Sequence, residues 1–147
     1  MKIEGKHVFK APVQRVWELL TDPRHLEKAL PGCERLDERE PGRYDATLKI
    51  GIAAIKGTYQ GKVEVADPDP PRRYRLRGEG SGSPGFVKGE ALIELTEQGQ
   101  GTVVRYEGDV QVGGLIAGIG QRMMGGIAKM MLGQFFKKIE KDLGESG

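Results

Sequence analysis

The sequence predicts an α+β fold, a strongly curved seven-stranded antiparallel sheet around one long C-terminal helix, with two short helices after the first strand and an apolar cavity inside. Three observations carry this expectation. Seven segments alternate apolar and polar residues at the period of two that marks half-buried strands. Six of them follow one another across short breaks rich in Gly and Pro, as an antiparallel meander requires. Residues 114–143 then repeat apolar side chains at helical spacing, which supplies a layer to cover the apolar face of the sheet. A chain of 147 residues is one domain, 1–147, large enough to bury a core without a disulfide or metal staple.

The first strand, residues 3–9, places Ile3, Gly5, His7 and Phe9 on one parity and lysines and Glu4 on the other. Ala11-Pro12 ends it. Val13, Val16, Trp17 and Leu20 recur at helical spacing up to Thr21-Asp22-Pro23, and residues 26–30 form a second short helix stopped by Pro31-Gly32. The remaining strands are 33–40, 43–52, 55–65, 74–80, 87–95 and 102–112, separated at 41–42, 67–71, 81–85 and 99–101. One helix, 114–143, closes the chain.

Strand parity says what fills the interior. The inward sets are Tyr44, Ala46, Leu48 and Ile50; Gly57, Tyr59, Gly61, Val63 and Val65; Tyr74, Leu76, Gly78 and Gly80; Gly89, Ala91, Ile93 and Leu95; and Val104, Tyr106, Gly108 and Val110. Glycine weakens a strand, so its recurrence on this parity has two explanations, tight bending of the sheet or space kept open for a ligand. The candidate ligand-binding set is His7, Leu48, Ile50, Tyr59, Gly61, Val63, Tyr74, Leu76, Val104 and Tyr106 from the sheet, with Gln121, Met124, Ala128, Met131 and Phe135 from the helix. The tyrosine hydroxyls orient a polar head group on one reading and pack at the rim on the other.

Several chemistries are absent. On the strands of clear parity Asp45, Glu64, Glu79, Glu90, Glu94, Glu107 and Asp109 all face outward, so no carboxylate pair for acid/base catalysis is expected inside. His7 reads as a satisfied core histidine, and no metal-binding or nucleophile motif occurs, so neither a metal nor a cofactor is expected. Cys33, the one cysteine, permits no internal disulfide and reads as a packing residue in a reducing cytoplasm. The chain starts without a signal peptide, and no apolar run is long enough to span a bilayer. A formal charge of +2, with the two signs interspersed, argues against nucleic acid as a partner.

One end of the molecule reads as an apolar docking surface. Ala117, Gln121, Met124, Ala128, Met131, Leu132, Phe135 and Ile139 form the helix stripe expected against the sheet, yet a second stripe of Leu115, Ile116, Ile119, Met123, Ile127 and Met130 lies beside it. In a meander alternate turns share an end, which gathers residues 50–55, 83–86 and 113–119. The docking candidates are Lys49, Ile52, Ile55, Lys56, Phe86, Leu115, Ile116, Ile119, Met123 and Ile127, facing a peripheral membrane surface or a partner protein, with a homodimer seam as the alternative. The glycines of this part, Gly118, Gly120, Gly125 and Gly126, suit a soft gate.

Lys10-Ala11-Pro12, Val16-Trp17-Glu18-Leu19-Leu20-Thr21-Asp22-Pro23 and Leu30-Pro31-Gly32-Cys33-Glu34 resemble the carbon monoxide dehydrogenase CoxG family of the START-like SRPBCC superfamily. Gly101-Thr102, Tyr106, Gly114-Leu115-Ile116-Ala117, Gly120-Gln121-Arg122-Met123 and Gln134-Phe135-Phe136 are similar to that family's C-terminal block, so the resemblance spans nearly the whole chain. It implies a helix-grip fold and a non-catalytic carrier or adaptor that recruits a molybdenum-containing dehydrogenase to the cytoplasmic membrane, with a cavity for a quinone or lipid. Superfamily relatives also imply two alternatives, a cyclase or hydrolase using His7 or a tyrosine, and a ligand-free assembly factor.

Overall fold

The computed structural model describes residues 1–146; the last residue of the expected domain, Gly147, lies outside the described residues. Strands β1 (Lys2–Phe9), β2 (Cys33–Glu40), β3 (Arg43–Ile50), β4 (Gly57–Asp69), β5 (Arg73–Gly82), β6 (Gly85–Gln98) and β7 (Gly101–Gly113) form one antiparallel sheet in the order β1-β7-β6-β5-β4-β3-β2. The meander thus runs from β2 to β7, and β1 adds to its far edge with Gly5 opposite Tyr106 and His7 opposite Val104. Period-two patterning fixes this register, because a slip of one residue would turn every apolar side chain outward.

Helices α1 (Val13–Thr21) and α2 (Pro23–Ala29) follow β1. Asp22 both ends α1 and caps α2, its side chain accepting the Arg24 N–H at 2.8 Å with Pro23 in the first turn. Thr21-Asp22-Pro23, a break in the sequence pattern, is therefore the start signal of the second helix, which begins three residues earlier than expected. The chain after Ile50 leaves the sheet into a short 3-10 turn, Ala53–Ile55. The strands around Pro84 run on until Gly82 pairs with Gly85, which leaves Ser83-Pro84 as a two-residue turn.

The expected single C-terminal helix is two pieces. Gly114, at φ 78°, and Gly120, at φ 90°, bracket a 3-10 turn, Leu115–Ile119, before α3 (Gln121–Ser146) begins. Both angles suit glycine alone, and they interrupt the helical hydrogen-bond ladder where the apolar spacing by itself continues unbroken. Helix α3 then follows β1: Gly125 lies beside Met1, and Phe136 stacks on the rings of His7 and Tyr106.

The core is divided. In the larger cluster α1 and α2 cover the far end of the sheet, with Trp17 edge-on to Tyr74 at 5.3 Å and Phe9, Leu20, Val104, Phe135 and Ile139 around them. Thr102, buried beneath α1, donates its hydroxyl to the Ala11 carbonyl at 2.8 Å. A smaller cluster at the opposite end joins Ile50, Ile55, Tyr59, Ile116, Met124 and Ile127.

Candidate functional site

Between these clusters the middle of the sheet carries inward residues that stay half-buried. Leu48, Val63, Leu76, Ala91, Tyr106 and Val110 are only half-buried, whereas Ala46, Tyr59, Tyr74, Ile93 and Val104 on the same five strands are closed off. Across this zone runs a diagonal of bare backbone in which Gly61 pairs with Gly80, Gly78 with Gly89, and Gly108 with Ala91. A Cβ built on Gly78 meets only the Lys62 carbonyl oxygen, at 3.9 Å, and one on Gly80 only Tyr59 Cβ and the Gln60 carbonyl oxygen, at 3.7 and 3.9 Å. No atom of α3 reaches within 4 Å of either, so open space lies over these two positions.

The glycines divide between their two explanations. A Cβ on Gly61 would overlap the Glu79 carbonyl oxygen, and one on Gly108 the Glu90 carbonyl oxygen, so these positions serve close strand approach and bending. Gly78 and Gly80 keep space open. Gly5 does neither: its bare Cα seats the Tyr106 ring, whose hydroxyl lies where a Cβ would be.

Several candidate residues stand elsewhere than expected. Tyr74, Val104 and Phe135 are locked in the closed cluster, at 2%, 0% and 8% exposure, because α1 and α2 cover that end. Gln121 is exposed at the start of α3, and Ala117 is exposed on the preceding turn, since the break at Gly120 rotates them out of the inward stripe. Ile50, Tyr59 and Met124 belong to the small cluster, where the Tyr59 hydroxyl donates to the Ile55 carbonyl at 2.6 Å and is spent on the fold. His7 stacks on Phe136 with ring centroids 5.1 Å apart and its Nε2 meets the Glu140 carboxylate of α3, so it tethers the helix beside the space. Leu48 and Met131 are half-buried against the small cluster, and Val63, Leu76 and Tyr106 against the large one; Ala128 is half-buried on α3, and Gly61 is closed by the neighbouring strand rather than lining the open space. Gly78, Gly80 and Ala91 belong to its floor and lie outside the candidate set, although their inward parity is the signal that marks them.

The polar groups near the space are few. The Tyr106 hydroxyl makes no hydrogen bond among the described residues, and burial raises its pKa above the ordinary value. Burial drives the enclosed Tyr74 up much further. Tyr44 is raised by burial first and by the neighbouring carboxylate of Glu38, on the β2 edge, second. His25 pairs with Asp142 at 2.9 Å, a second link between the first half of the chain and the end of α3. Among the described residues no cluster of His, Cys, Asp or Glu could hold a metal ion. The Cys33 thiol donates to the Arg35 carbonyl at 3.3 Å, and burial raises its pKa.

The outer face is different in kind. Its twist dishes the polar surface into two open grooves of about 670 and 720 Å³. The second is floored by a paired lattice in which Glu64 accepts from Arg43 at 2.8 Å and Arg77 at 3.0 Å, while Arg77 also reaches Glu90 at 3.4 Å. Charges neutralised in this way make a hydrated face rather than a ligand site.

A family model for the carbon monoxide dehydrogenase protein CoxG matches residues 5–144. The chain belongs to the CoxG family. This membership associates it with a carbon monoxide dehydrogenase system. Among solved structures, a conserved protein from Geobacillus kaustophilus is 43% identical with a TM-score of 0.97, the alignment covering 99% of this chain and 97% of that one. A START superfamily protein from Mycobacterium smegmatis, 14% identical over 99% of both chains at a TM-score of 0.77, shares the helix-grip fold. No curated protein matches the chain.

In this CoxG-family chain the apolar end gathers as the meander requires. The Ile116 N–H donates to the Pro84 carbonyl at 2.9 Å, and the turns at 53–55 and 115–119 pack together through the small cluster. Three docking candidates are corrected: Ile55, Ile116 and Ile127, at 7%, 3% and 9% exposure, point into that cluster because the turn bracketed by Gly114 and Gly120 swings Ile116 inward. Leu115, Met123 and Phe86 remain exposed, at 82%, 54% and 49%; Lys49 and Lys56 are exposed, and Ile52 and Ile119 half-buried. Among the described residues no helix is long and apolar enough to cross a membrane.

Proposed function

We propose that this protein is a non-catalytic carrier that holds an apolar small molecule, a quinone or lipid, in the space over Gly78 and Gly80, and links a membrane to a molybdenum-containing dehydrogenase of the carbon monoxide dehydrogenase type. The observation that carries the reading is the divided core: apolar side chains stay half-buried over a glycine floor that α3 does not reach. Leaving such surface open in a domain with two closed clusters is unfavourable by roughly 25 cal/mol per Å² unless a guest covers it. An isoprenoid or acyl chain laid along Leu48, Val63, Leu76 and Met131 recovers that energy. The Tyr106 ring, seated over Gly5 and stacked on Phe136, closes the sheet on the β1 side. His7 is committed to Glu140 and Phe136, so binding and delivery are the chemistry proposed, and the dehydrogenase acts on what is carried.

The test is organic extraction and mass spectrometry of protein purified from quinone-producing cells, beside a Gly80→Leu variant. Gly80 replaces Gly61 as the position to fill, because a side chain at Gly61 strikes backbone whereas one at Gly80 enters open space. Quinone or lipid near one equivalent in the wild type, lost in a folded Gly80→Leu protein, is the expected result. Equal amounts in both proteins, or none in the wild type even after incubation with quinone-loaded vesicles, would overturn the proposal.

A further inference from the structure

Charge that is interspersed along the sequence is segregated in space. Three stretches that run through the apolar end and on towards the middle of the molecule, residues 46–63, 80–89 and 110–139, contain no Asp or Glu. They contain Lys49, Lys56, Lys62, Lys88, Arg122 and Lys129, and then Lys137 and Lys138 along α3. All eight are exposed, and none makes an ion pair within 4 Å among the described residues. Carboxylates return with Glu79, which stands between Lys62 and Lys88 in the same row of the sheet, and on the β2 edge with Glu34. Arginine does the opposite work: Arg35, Arg39, Arg43, Arg72, Arg75 and Arg77 are tied to Asp and Glu elsewhere on the sheet.

The same end carries most of the exposed apolar bulk. Leu115 stands out on its 3-10 turn; Met123, in the first turn of α3, and Met130, about two turns on, lie on the helix face opposite its buried stripe. Phe86 flanks them from β6, its ring covering the bare Cα of Gly113 opposite. Apolar side chains projecting among unpaired, flexible cations match one kind of occupant better than others. A second copy of this chain would face lysines with lysines, whereas an anionic bilayer offers acyl chains to Leu115 and Met123 and lipid phosphates to the lysines.

We infer that this acid-free end is the face that docks on an anionic lipid bilayer, with Leu115, Met123 and Phe86 entering the interface and Lys49, Lys56, Lys88, Arg122 and Lys129 meeting the headgroups. The inference deepens the carrier reading, on which it rests, by naming the surface and the lipid chemistry through which the space would be loaded. Docking at this end sets the turn bracketed by Gly114 and Gly120 against the membrane. Ile116 on that turn plugs the small cluster, while its neighbour Leu115 points out.

Co-sedimentation of ligand-stripped protein tests this, using vesicles of phosphatidylethanolamine with phosphatidylglycerol against vesicles of phosphatidylcholine. Binding confined to the anionic vesicles and weakened by salt is expected. Leu115→Asp with Met123→Asp should lower partitioning at least about tenfold, and Lys56→Glu about fivefold or more; both sites are exposed, so the fold survives. Equal binding to neutral vesicles overturns the inference, as does no binding, or unchanged binding by the double variant. So does light scattering that finds a dimer broken by these substitutions. Gly80→Leu separates the two proposals: a variant that docks normally but carries no quinone supports both, and a wild type that docks but carries nothing leaves this inference standing while the carrier reading falls.

Discussion

The two ends of the molecule are built from the same sheet to opposite specifications. At the closed end α1, α2 and the last turns of α3 seal Phe9, Trp17, Leu20, Tyr74, Val104 and Ile139, with His7–Glu140 and His25–Asp142 fastening the helix outside. At the open end a few side chains around Ile116 and Met124 make the whole cluster, the backbone turns at positive-φ glycines, and large apolar residues face out. Stability is thus concentrated where the first half of the chain meets α3, and the open end is left adaptable. Regions that bury least are the ones that open at least free energy, which is what a loading site needs.

Six substitutions probe that contrast. Trp17→Ala should lower unfolding free energy by about 3–5 kcal/mol in chemical denaturation, since it empties the closed end. Met123→Ala should stay within about 0.5 kcal/mol of wild type, and similar losses for both would erase the contrast. Gly61→Ala is expected to destabilise by about 2–3 kcal/mol through its clash with the neighbouring strand, while Gly80→Ala is tolerated; thermal melts on the pair distinguish bending from open space.

Gly120→Ala meets no atom within 4 Å, so its effect is backbone strain alone, about 1–2 kcal/mol. Slower quinone uptake from vesicles should accompany it, and an unchanged uptake rate would remove the turn from the loading route. The smallest effect belongs to the outer lattice. Arg77 and then Arg43 hold the Glu64 carboxyl below its ordinary value of 4.5. A depressed folded-state pKa gives stability that is present above the unfolded value and lost as pH falls through the folded one. Glu64→Gln should therefore show a slight deficit near neutral pH that shrinks as pH falls below 4.5 and is gone once pH lies under the depressed folded-state value; a deficit that persists in strong acid would mean the side chain acts by packing.

Much of this architecture is legible in the sequence. Period-two spacing places every strand and its inward face, and the Pro and Gly punctuation places the turns, because both depend on residues adjacent in the chain. Helical spacing in residues 114–143 conceals the break, since Ile116 and Ile119 fit a helix stripe equally well and only the dihedral angles of Gly114 and Gly120 distinguish the two outcomes. The burial of the candidate residues is legible in part: Leu48, Val63, Leu76 and Tyr106 are half-buried on the inward face, whereas Tyr74 and Phe135 fit the same inward patterns and are sealed by helices whose docking position no local pattern encodes.

What the sequence determined alone is the order of elements, the inward parity and the glycine-rich floor, all consequences of local periodicity and of side-chain size. Tertiary structure decided which glycines bend the sheet and which leave room, because that depends on the carbonyl of a neighbouring strand. It also decided the charge pattern: acid-free stretches centred thirty to forty residues apart along the chain become one cationic, apolar end only when the meander folds its alternate turns to the same side.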